Sequence, residues 1–350
     1  MVTVQFDPSK FNHQTAICGG YKYHYVDEGN KNGTPVVLVH GFPDLWYGWR
    51  YQIDFLVALG LYRVIALDLL GYGETDKPQC ENPADLHPAY TPKTVASHIV
   101  ELLDHLGVQK AVMIGHDWGT GIVSRIGWHF PERVHCTVAI GNPFRPITKN
   151  FITISDLTSE NPAFQYFEYF TSPEAVKDFD EKVEDIVDDL FSEENGNSEQ
   201  DRSYYLENLK KGGFNGPLSY YKCFEASHRE DLYLLGQRFK IPSLLLIVNN
   251  DPILSPEYCR QVPTDYFDNL EIDEIDVGEH WILTQNPECV NRKIGIYLDK
   301  LFGLEIKDAT SDIASGNKGE ETNQSEQTDN LKKLNKNRGG RAARFGRPKL

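Results

Sequence analysis

The chain has 350 residues, of which 40% are hydrophobic and 12% aromatic, and its formal net charge is −16. This length fits one large domain with an insertion, and the apolar content is sufficient for a sizeable core. The negative charge argues against general nucleic-acid binding, so we expect no nucleic-acid partner.

The cysteines and the apolar runs narrow the class of protein further. Six cysteines are widely spaced and form no C-x-x-C pair, which indicates reduced thiols in a reducing compartment and no zinc site. The start of the chain has no cationic region followed by an apolar one, so a secretory signal is not expected. No stretch approaches about eighteen consecutive apolar residues, and we therefore expect no membrane span.

The first half of the chain predicts strands and helices in alternation. Tyr21 to Val26 alternates aromatic and polar residues and predicts an edge strand. Buried strands are predicted over 35–39, 62–67, 111–114 and 134–140, and helices over 47–59 and 92–106. Because the connections are short, this order predicts an α/β fold: a mostly parallel sheet with right-handed crossovers and helices on both faces.

The predicted strand over 35–39 runs directly into His40-Gly41-Phe42-Pro43. A loop at the C-terminal end of a buried strand is where an oxyanion hole is usually assembled. We assign one donor to the backbone N–H of Phe42. His40 belongs to the same loop and could act as a base, but a histidine before glycine at a strand end more often braces the loop, and we favour that role.

The stretch from Ile114 to Gly121 reads I-G-H-D-W-G-T-G. It predicts a strand, a tight glycine-flanked turn and a helix, which is the nucleophile-elbow pattern with Asp117 where serine usually stands. A carboxylate is ionised near neutral pH and can attack saturated carbon to leave an alkyl ester on the enzyme. The backbone N–H of Trp118 would be the second oxyanion donor. The alternative is an ordinary turn in which Asp117 is a helix N-cap.

From about residue 146 to 229 the strand pattern stops, and aromatic and acidic residues replace it. We predict that 146–229 is a helical cap lying over the C-terminal edge of the sheet, where open α/β sheets bind ligands. The core would then comprise 1–145 and 230–304.

The last residues, 305–350, are polar and then basic, which predicts a disordered tail. The chain ends in Pro348-Lys349-Leu350, which is near the S-K-L peroxisomal address. These features predict a cytoplasmic or peroxisomal location.

A carboxylate nucleophile needs a histidine that activates water to break the ester, and an acid that orients this histidine. In sheets with this elbow, the order along the chain is nucleophile, acid, histidine. Asp251 lies just past a predicted buried strand over 241–249, and His280 follows a further short strand. We therefore predict that Asp117, Asp251 and His280 act together, with no metal or organic cofactor. The adjacent Glu279 and His116 are expected to point elsewhere.

With these motifs assembled, the chain resembles a soluble-type epoxide hydrolase of the α/β-hydrolase fold from about residue 6 to 304. The resemblance rests on His40-Gly41-Phe42-Pro43 with Trp46, Trp49 and Arg50, on Gly115-His116-Asp117-Trp118-Gly119, and on Gly278-Glu279-His280-Trp281. One departure is Glu279, since many relatives have glycine directly before the histidine.

The resemblance implies two cap tyrosines that hydrogen-bond the epoxide oxygen, and the matching positions are Tyr166 and Tyr221. Tyr169 and Tyr220 lie close to these positions, and a helical shift of one residue could exchange Tyr220 with Tyr221. The implied partners are a small apolar epoxide and water, and the implied product is a vicinal diol formed through an ester on Asp117. A haloalkane dehalogenase-like hydrolase and a non-catalytic small-molecule binder of the same fold remain alternatives. The oligomeric state stays open.

Overall fold

The computed structural model describes residues 5–79 and 88–303. Its strands form one eight-stranded sheet in the order β1-β2-β4-β3-β5-β6-β7-β8. The strands are β1 (His13–Cys18), β2 (Tyr21–Gly29), β3 (Thr34–Val39), β4 (Tyr62–Leu67), β5 (Ala111–His116), β6 (Val134–Ile140), β7 (Ser243–Val248) and β8 (Leu270–Ile275). The pairs from β4 through β8 are parallel, whereas β1 with β2 and β2 with β4 are antiparallel.

Helices occupy the connections between these strands. Among the described residues they are α1 (Arg50–Ala58), α2 (Pro92–His105), α3 (Trp118–His129), α4 (Ile154–Glu160), α5 (Tyr166–Phe170), α6 (Ala175–Glu181), α7 (Val183–Leu190), α8 (Glu199–Gly212), α9 (Asn215–Lys222), α10 (Phe224–Asp231), α11 (Pro256–Arg260), α12 (Ile282–Gln285) and α13 (Pro287–Phe302). This architecture confirms the predicted α/β-hydrolase fold class.

The centre of the sheet forms the core, and its sequence explains why. Every residue of β5 and β7 is buried, as are the last four of β3, because helices cover both faces of a parallel sheet. The helix α2 starts where predicted: the Thr91 side chain accepts a hydrogen bond from the Thr94 amide, and Pro92 stands at the first helical position. The strand β5, which leads into the turn at Asp117, lies in this core between β3 and β6.

The prediction that Tyr21–Val26 forms an edge strand was wrong. The strand β1 pairs along β2 from His13 opposite Val26 to Cys18 opposite Tyr21, so β2 lies inside the sheet. Four of the six residues of β1 are exposed and most of them are polar, which gives this strand a weak apolar pattern. That pattern concealed it in the sequence.

No strand occurs in the fully described stretch between β6 and β7, which instead contains the seven helices α4 to α10. The predicted cap, 146–229, starts ahead of α4 and ends within α10. Its assignment as a separate cap, and that of 1–145 and 230–304 as the core, remain predictions. The predicted tail and its Pro348-Lys349-Leu350 terminus lie outside the described residues.

The chain divides after Lys293 into two compact units, and every residue of the site described below lies in the first. Of the second unit, the structure describes the end of α13. Within the described ranges, no helix is long and apolar enough to cross a membrane.

Candidate active site

The turn between β5 and α3 holds Asp117 in a strained backbone conformation. Its φ is 50° and its ψ is −120°, and it is the one non-glycine residue with positive φ among those the structure describes. The flanking glycines make this turn possible: a Cβ on Gly119 would lie 2.0 Å from the Val39 carbonyl oxygen, and a Cβ on Gly115 would lie 2.5 Å from Gly119. Strain of this kind is retained where the surrounding structure enforces it, and it is concentrated at functional sites.

The Asp117 carboxylate points toward the loop after β3 instead of capping α3. No side-chain capping bond forms at the start of α3, which argues against the simple N-cap alternative. The backbone N–H of Phe42 donates to Oδ1 of Asp117 at 2.8 Å, and the backbone N–H of Trp118 also hydrogen-bonds the carboxylate. Burial raises the pKa of Asp117 above its usual value, although His280 and the two amides oppose this effect. The two predicted oxyanion donors therefore converge on one carboxylate.

The predicted acid and histidine are in direct contact. The Nδ1 atom of His280 lies 2.9 Å from Oδ2 of Asp251, and the backbone amides of Ile253 and Leu254 donate to Oδ1 of Asp251 at 2.8 and 2.9 Å. Burial disfavours the charged form of both groups. It is outweighed by their mutual attraction, which lowers the pKa of Asp251 and, together with the charge on Asp117, raises the pKa of His280 to about 9.

The two other histidines near the elbow have structural partners. A carbonyl oxygen can only accept, so Nε2 of His116 donates to the His280 carbonyl oxygen at 3.0 Å, and burial lowers the pKa of His116 to about 3. For the same reason, Nδ1 of His40 donates to the Gly41 carbonyl at 2.8 Å, while its Nε2 accepts from the Leu69 amide at 3.0 Å. Both ring nitrogens of His40 are thus engaged in bracing the loop. Glu279, the residue before His280, is exposed.

The structure separates the two tyrosines implied by the resemblance from their neighbours. The Tyr169 hydroxyl donates to Oδ2 of Asp178 at 2.7 Å, and the Tyr220 hydroxyl donates to the Leu70 carbonyl at 2.9 Å. By contrast, the ring centroids of Tyr166 and Tyr221 are 6.2 Å apart. The negative charge of Asp117 contributes to raising the pKa of both tyrosines. Burial is the main reason that the pKa of each is raised, so both phenols remain protonated hydrogen-bond donors at neutral pH.

The position of Tyr221 is fixed by Trp118. The two rings are 4.9 Å apart and nearly perpendicular, and the Trp118 side chain hydrogen-bonds the Tyr221 hydroxyl. An indole N–H can only donate, so the phenol oxygen accepts this bond and keeps its own proton for another acceptor.

A cavity of about 300 Å³ opens next to the elbow. Asp117, Trp118, Tyr166 and Tyr220 line it. Tyr221 and His280 do not line it. Most of the wall is apolar, as is common for small-molecule sites.

Two polar residues of the cavity wall were missed as site residues. Asn142, which follows β6, donates from Nδ2 to the Asp117 carbonyl oxygen at 3.3 Å. Arg145 lies three residues further along and stacks on Tyr258. Their position after the C-terminal end of a parallel strand was the available signal. No cluster of three potential metal ligands occurs in the part of the chain that the structure describes.

This combination of fold and geometry defines the class of protein: an α/β hydrolase with an aspartate at its elbow. A family model described as the alpha/beta hydrolase fold matches residues 34–287. The chain belongs to this family, and within it to the epoxide hydrolases.

Three comparisons support this grouping. The chain is similar to epoxide hydrolase 3 of Siraitia grosvenorii, with 30% identity over 336 residues that cover 83% of this chain and 99% of that protein. It is also similar to bifunctional epoxide hydrolase 2 of Sus scrofa, with 30% identity over 316 residues and 82% of this chain covered. The match spans only 55% of that relative's length. A crystal structure of an epoxide hydrolase from Vigna radiata superposes with a TM-score of 0.72 at 25% identity, covering 84% of this chain and all of the other.

Proposed function

We propose that this protein hydrolyses epoxides to vicinal diols through a covalent ester on Asp117. The observation that carries the proposal is the arrangement around Asp117: a buried carboxylate on a strained turn, held by two backbone amides, beside a histidine–aspartate pair and two protonated phenols. The relatives of similar length are named epoxide hydrolases, which favours the same substrate class.

In the first step, a carboxylate oxygen of Asp117 bonds to the less hindered carbon of the epoxide, and the bond from this carbon to the ring oxygen breaks. Tyr166 and Tyr221 donate hydrogen bonds to the oxygen as it becomes an alkoxide. Phenols suit this role because burial and the charge on Asp117 keep their protons on at neutral pH. The alkoxide takes up one proton and becomes the first hydroxyl of the diol.

Formation of the ester also prepares the base for the second step. The charge on Asp117 is one of the groups that raise the pKa of His280 to about 9, a value at which His280 is protonated near neutral pH. Esterification removes this charge, so the pKa of His280 falls and its proton is released. Loss of one proton from His280 and gain of one by the alkoxide balance each other.

In the second step, neutral His280 takes a proton from water while Asp251 orients the imidazole and stabilises its charged form. The water oxygen attacks the acyl carbon of Asp117, and the amides of Phe42 and Trp118 stabilise the resulting oxyanion. The bond between the acyl carbon and the ester oxygen then breaks, and the leaving oxygen takes up the second proton of the attacking water. The diol leaves with an oxygen from Asp117, and the regenerated carboxylate contains the oxygen from water.

The experiment that tests this mechanism follows that oxygen. In a single turnover in ¹⁸O-water with excess enzyme, the label is expected in Asp117 and not in the diol. The variant His280→Gln is expected to form the ester and stall, so intact-protein mass spectrometry detects an adduct with the mass of the substrate. The matched control Asp117→Ala/His280→Gln is expected to form none. Label in the diol at the first turnover would contradict covalent attack by Asp117.

The geometry favours this reaction over the two alternatives. In a haloalkane dehalogenase-like reaction, the Trp118 indole would have to bind the leaving halide, but its N–H is engaged with Tyr221. A non-catalytic binder has no need for a strained carboxylate beside a histidine–aspartate pair. Halide release measured against diol formation on matched substrates distinguishes the two reactions, and the absence of turnover with both would favour the binder.

For location, we keep the cytoplasm or the peroxisome as a proposal, the latter resting on Pro348-Lys349-Leu350 alone.

A further inference from the structure

Another histidine–aspartate pair lies away from the elbow, where the ends of α3 and α10 meet. His129 is the last residue of α3, and Asp231 is the last residue of α10. The Nε2 atom of His129 lies 2.9 Å from Oδ1 of Asp231, and both side chains are only 2% exposed. The hydroxyl of Tyr233, two residues after Asp231, hydrogen-bonds Nδ1 of His129. A phenol, an imidazole and a buried carboxylate are therefore connected in this order.

The hydrogen bonds of these three residues determine which group donates to which. A carboxylate can only accept, so Nε2 of His129 carries a proton and donates to Asp231. In the neutral imidazole, Nδ1 then has no proton and accepts from the Tyr233 hydroxyl. Burial opposes the charge of Asp231, but the hydrogen bond from His129 and the charge of Arg125, whose Nη2 atom is 2.8 Å away, outweigh it and lower the pKa of Asp231. A hydroxyl, a base and an orienting carboxylate in this order are the groups with which enzymes activate a nucleophile.

Tyr233 is the accessible member of the three, since this residue is 59% exposed. Leu232 and Leu235, close to it in the chain, are 40% and 45% exposed, so the phenol is presented among exposed apolar side chains. The Nζ atom of Lys93 is 5.2 Å from the centre of the Tyr233 ring, and Lys93 takes part in none of the ion pairs of the described residues. A cation at this position can stabilise an oxyanion that forms on a carbonyl group attacked by Tyr233.

These residues are distinct from the proposed epoxide site. Asp231 contributes to the wall of the cavity beside Asp117, but His129 and Tyr233 do not line it. A structural role would explain the buried contact of His129 with Asp231, because this contact joins α3 to α10. It would not require an exposed hydroxyl on the second nitrogen of the imidazole.

We propose that Tyr233 is a second nucleophile, which accepts an acyl group from activated carboxylic esters independently of Asp117. The Tyr233 oxygen bonds to the carbonyl carbon while its proton moves to Nδ1 of His129, and Asp231 stabilises the imidazolium that forms. The bond from the carbonyl carbon to the leaving oxygen then breaks, and His129 returns the proton to that oxygen. The products are an acyl ester on Tyr233 and the free alcohol or phenol of the substrate. Because burial and the charge of Asp231 raise the pKa of Tyr233, its phenol is protonated at neutral pH and depends on this base.

The test uses 4-nitrophenyl acetate and the full-length wild-type protein, and peptide mapping by mass spectrometry locates the acetyl groups over time. Tyr21 is the internal control: it is partly exposed and its ring centroid is 5.8 Å from that of His98, but in the described part of the chain its hydroxyl makes no hydrogen bond to a histidine. General-base catalysis typically contributes a factor of about 10²–10⁴, so Tyr233 is expected to be acetylated at least about a hundredfold faster than Tyr21. Equal rates at the two tyrosines would refute the inference.

Two variants test the parts of the proposal. His129→Gln removes the base but keeps an amide that can donate to Asp231, and it is expected to acetylate Tyr233 at least about tenfold more slowly than wild-type protein. An unchanged rate in folded His129→Gln would overturn the role of His129. Asp117→Ala is expected to acetylate Tyr233 at the wild-type rate, and a loss there would mean that the acyl group arrives through Asp117, which would overturn the independence of this site. The comparison with Tyr21 needs no variant, so it decides the inference even if His129→Gln does not fold.

Discussion

The strain at the elbow makes an unusual prediction about stability. At an ordinary position in a helix, glycine is less stabilising than alanine by about 0.5–1 kcal/mol, because it loses more backbone entropy on folding. Asp117 has a φ of 50° and a ψ of −120°, a conformation that glycine adopts readily and other residues do not. We therefore expect the order to reverse here, so that Asp117→Gly is more stable than Asp117→Ala.

The size of the reversal follows from two opposing contributions. Holding a non-glycine residue in such a conformation costs about 1–3 kcal/mol, and Asp117→Gly avoids this cost. Because glycine loses more backbone entropy on folding, about 0.5–1 kcal/mol of this advantage is offset. The free energy of unfolding of Asp117→Gly should thus exceed that of Asp117→Ala by about 1 kcal/mol, within a span of about 0–2.5 kcal/mol. Both variants lack the carboxylate and its hydrogen bond to Phe42, so these losses cancel in the comparison.

Equilibrium unfolding in urea, followed by tryptophan fluorescence, measures this difference. The matched control is Glu207, which is exposed in the middle of α8: Glu207→Ala should be more stable than Glu207→Gly by about 1 kcal/mol. The reasoning is refuted if Asp117→Gly is less stable than Asp117→Ala by an amount similar to the control pair. That result would mean that the backbone of Asp117 is unstrained in solution.

Three further predictions concern the same site. Tyr221→Phe should lower kcat/KM for epoxides by about ten- to a hundredfold, since it removes a donor to the proposed alkoxide. The control is Tyr220→Phe, which removes a hydroxyl bonded to a backbone carbonyl and should therefore cost stability but leave this activity within about threefold. Steady-state kinetics and urea unfolding measure the two effects. The pKa of His280 is raised to about 9 in the folded protein, so its ion pair with Asp251 stabilises the fold fully below the unfolded pKa of about 6.5 and loses this effect as the pH rises through 9. The excess stability of wild-type protein over Asp251→Asn should accordingly shrink between neutral pH and pH above 9; a constant difference in urea unfolding would contradict it. Gly119→Ala would place a Cβ 2.0 Å from a backbone oxygen of β3. We therefore expect the free energy of unfolding to fall by at least about 1–3 kcal/mol, with a loss of activity. Near-wild-type unfolding and turnover would disprove this close approach.

The sheet was predictable from the sequence where its strands are buried on both faces. Strands β4 and β6 were predicted over the residues that form them, and β3 to within one residue, because a continuous apolar run bounded by turn residues allows few other structures. The half-exposed strand β1 was missed because its residues are mostly polar and its position depends on pairing with β2. Pairing between strands is a tertiary property that periodicity within one strand does not report.

The position of Asp117, Asp251 and His280 at one edge of the sheet was predictable for a different reason. Asp117, Asp251 and His280 each follow a strand, and parallel strands bring their C-terminal ends to one edge of the sheet. The choice between Tyr220 and Tyr221 was not predictable in this way. It depends on the rotation of the short helix α9 against Trp118, which the contacts of that helix determine. Arg145 follows a strand end, which was a sequence signal, but it is in a loop without periodicity, so its contact with Tyr258 and its place in the cavity wall become visible only in the fold.

The charge of one carboxylate connects the parts of this site that the sequence keeps apart. Burial is the main reason that the pKa of both phenols is raised, and the charge of Asp117 adds to this effect. The same charge acts together with Asp251 to raise the pKa of His280, so the imidazole is protonated and the phenols are donors. In the proposed reaction this is the state that precedes ring opening. In that reaction, ester formation removes the charge of Asp117, and we expect the same imidazole then to accept a proton from water. An elbow serine, which is neutral before it reacts, could not change the pKa of its neighbours in this direction. In the proposed mechanism, the aspartate at this position therefore provides both the nucleophile and the order of the two steps.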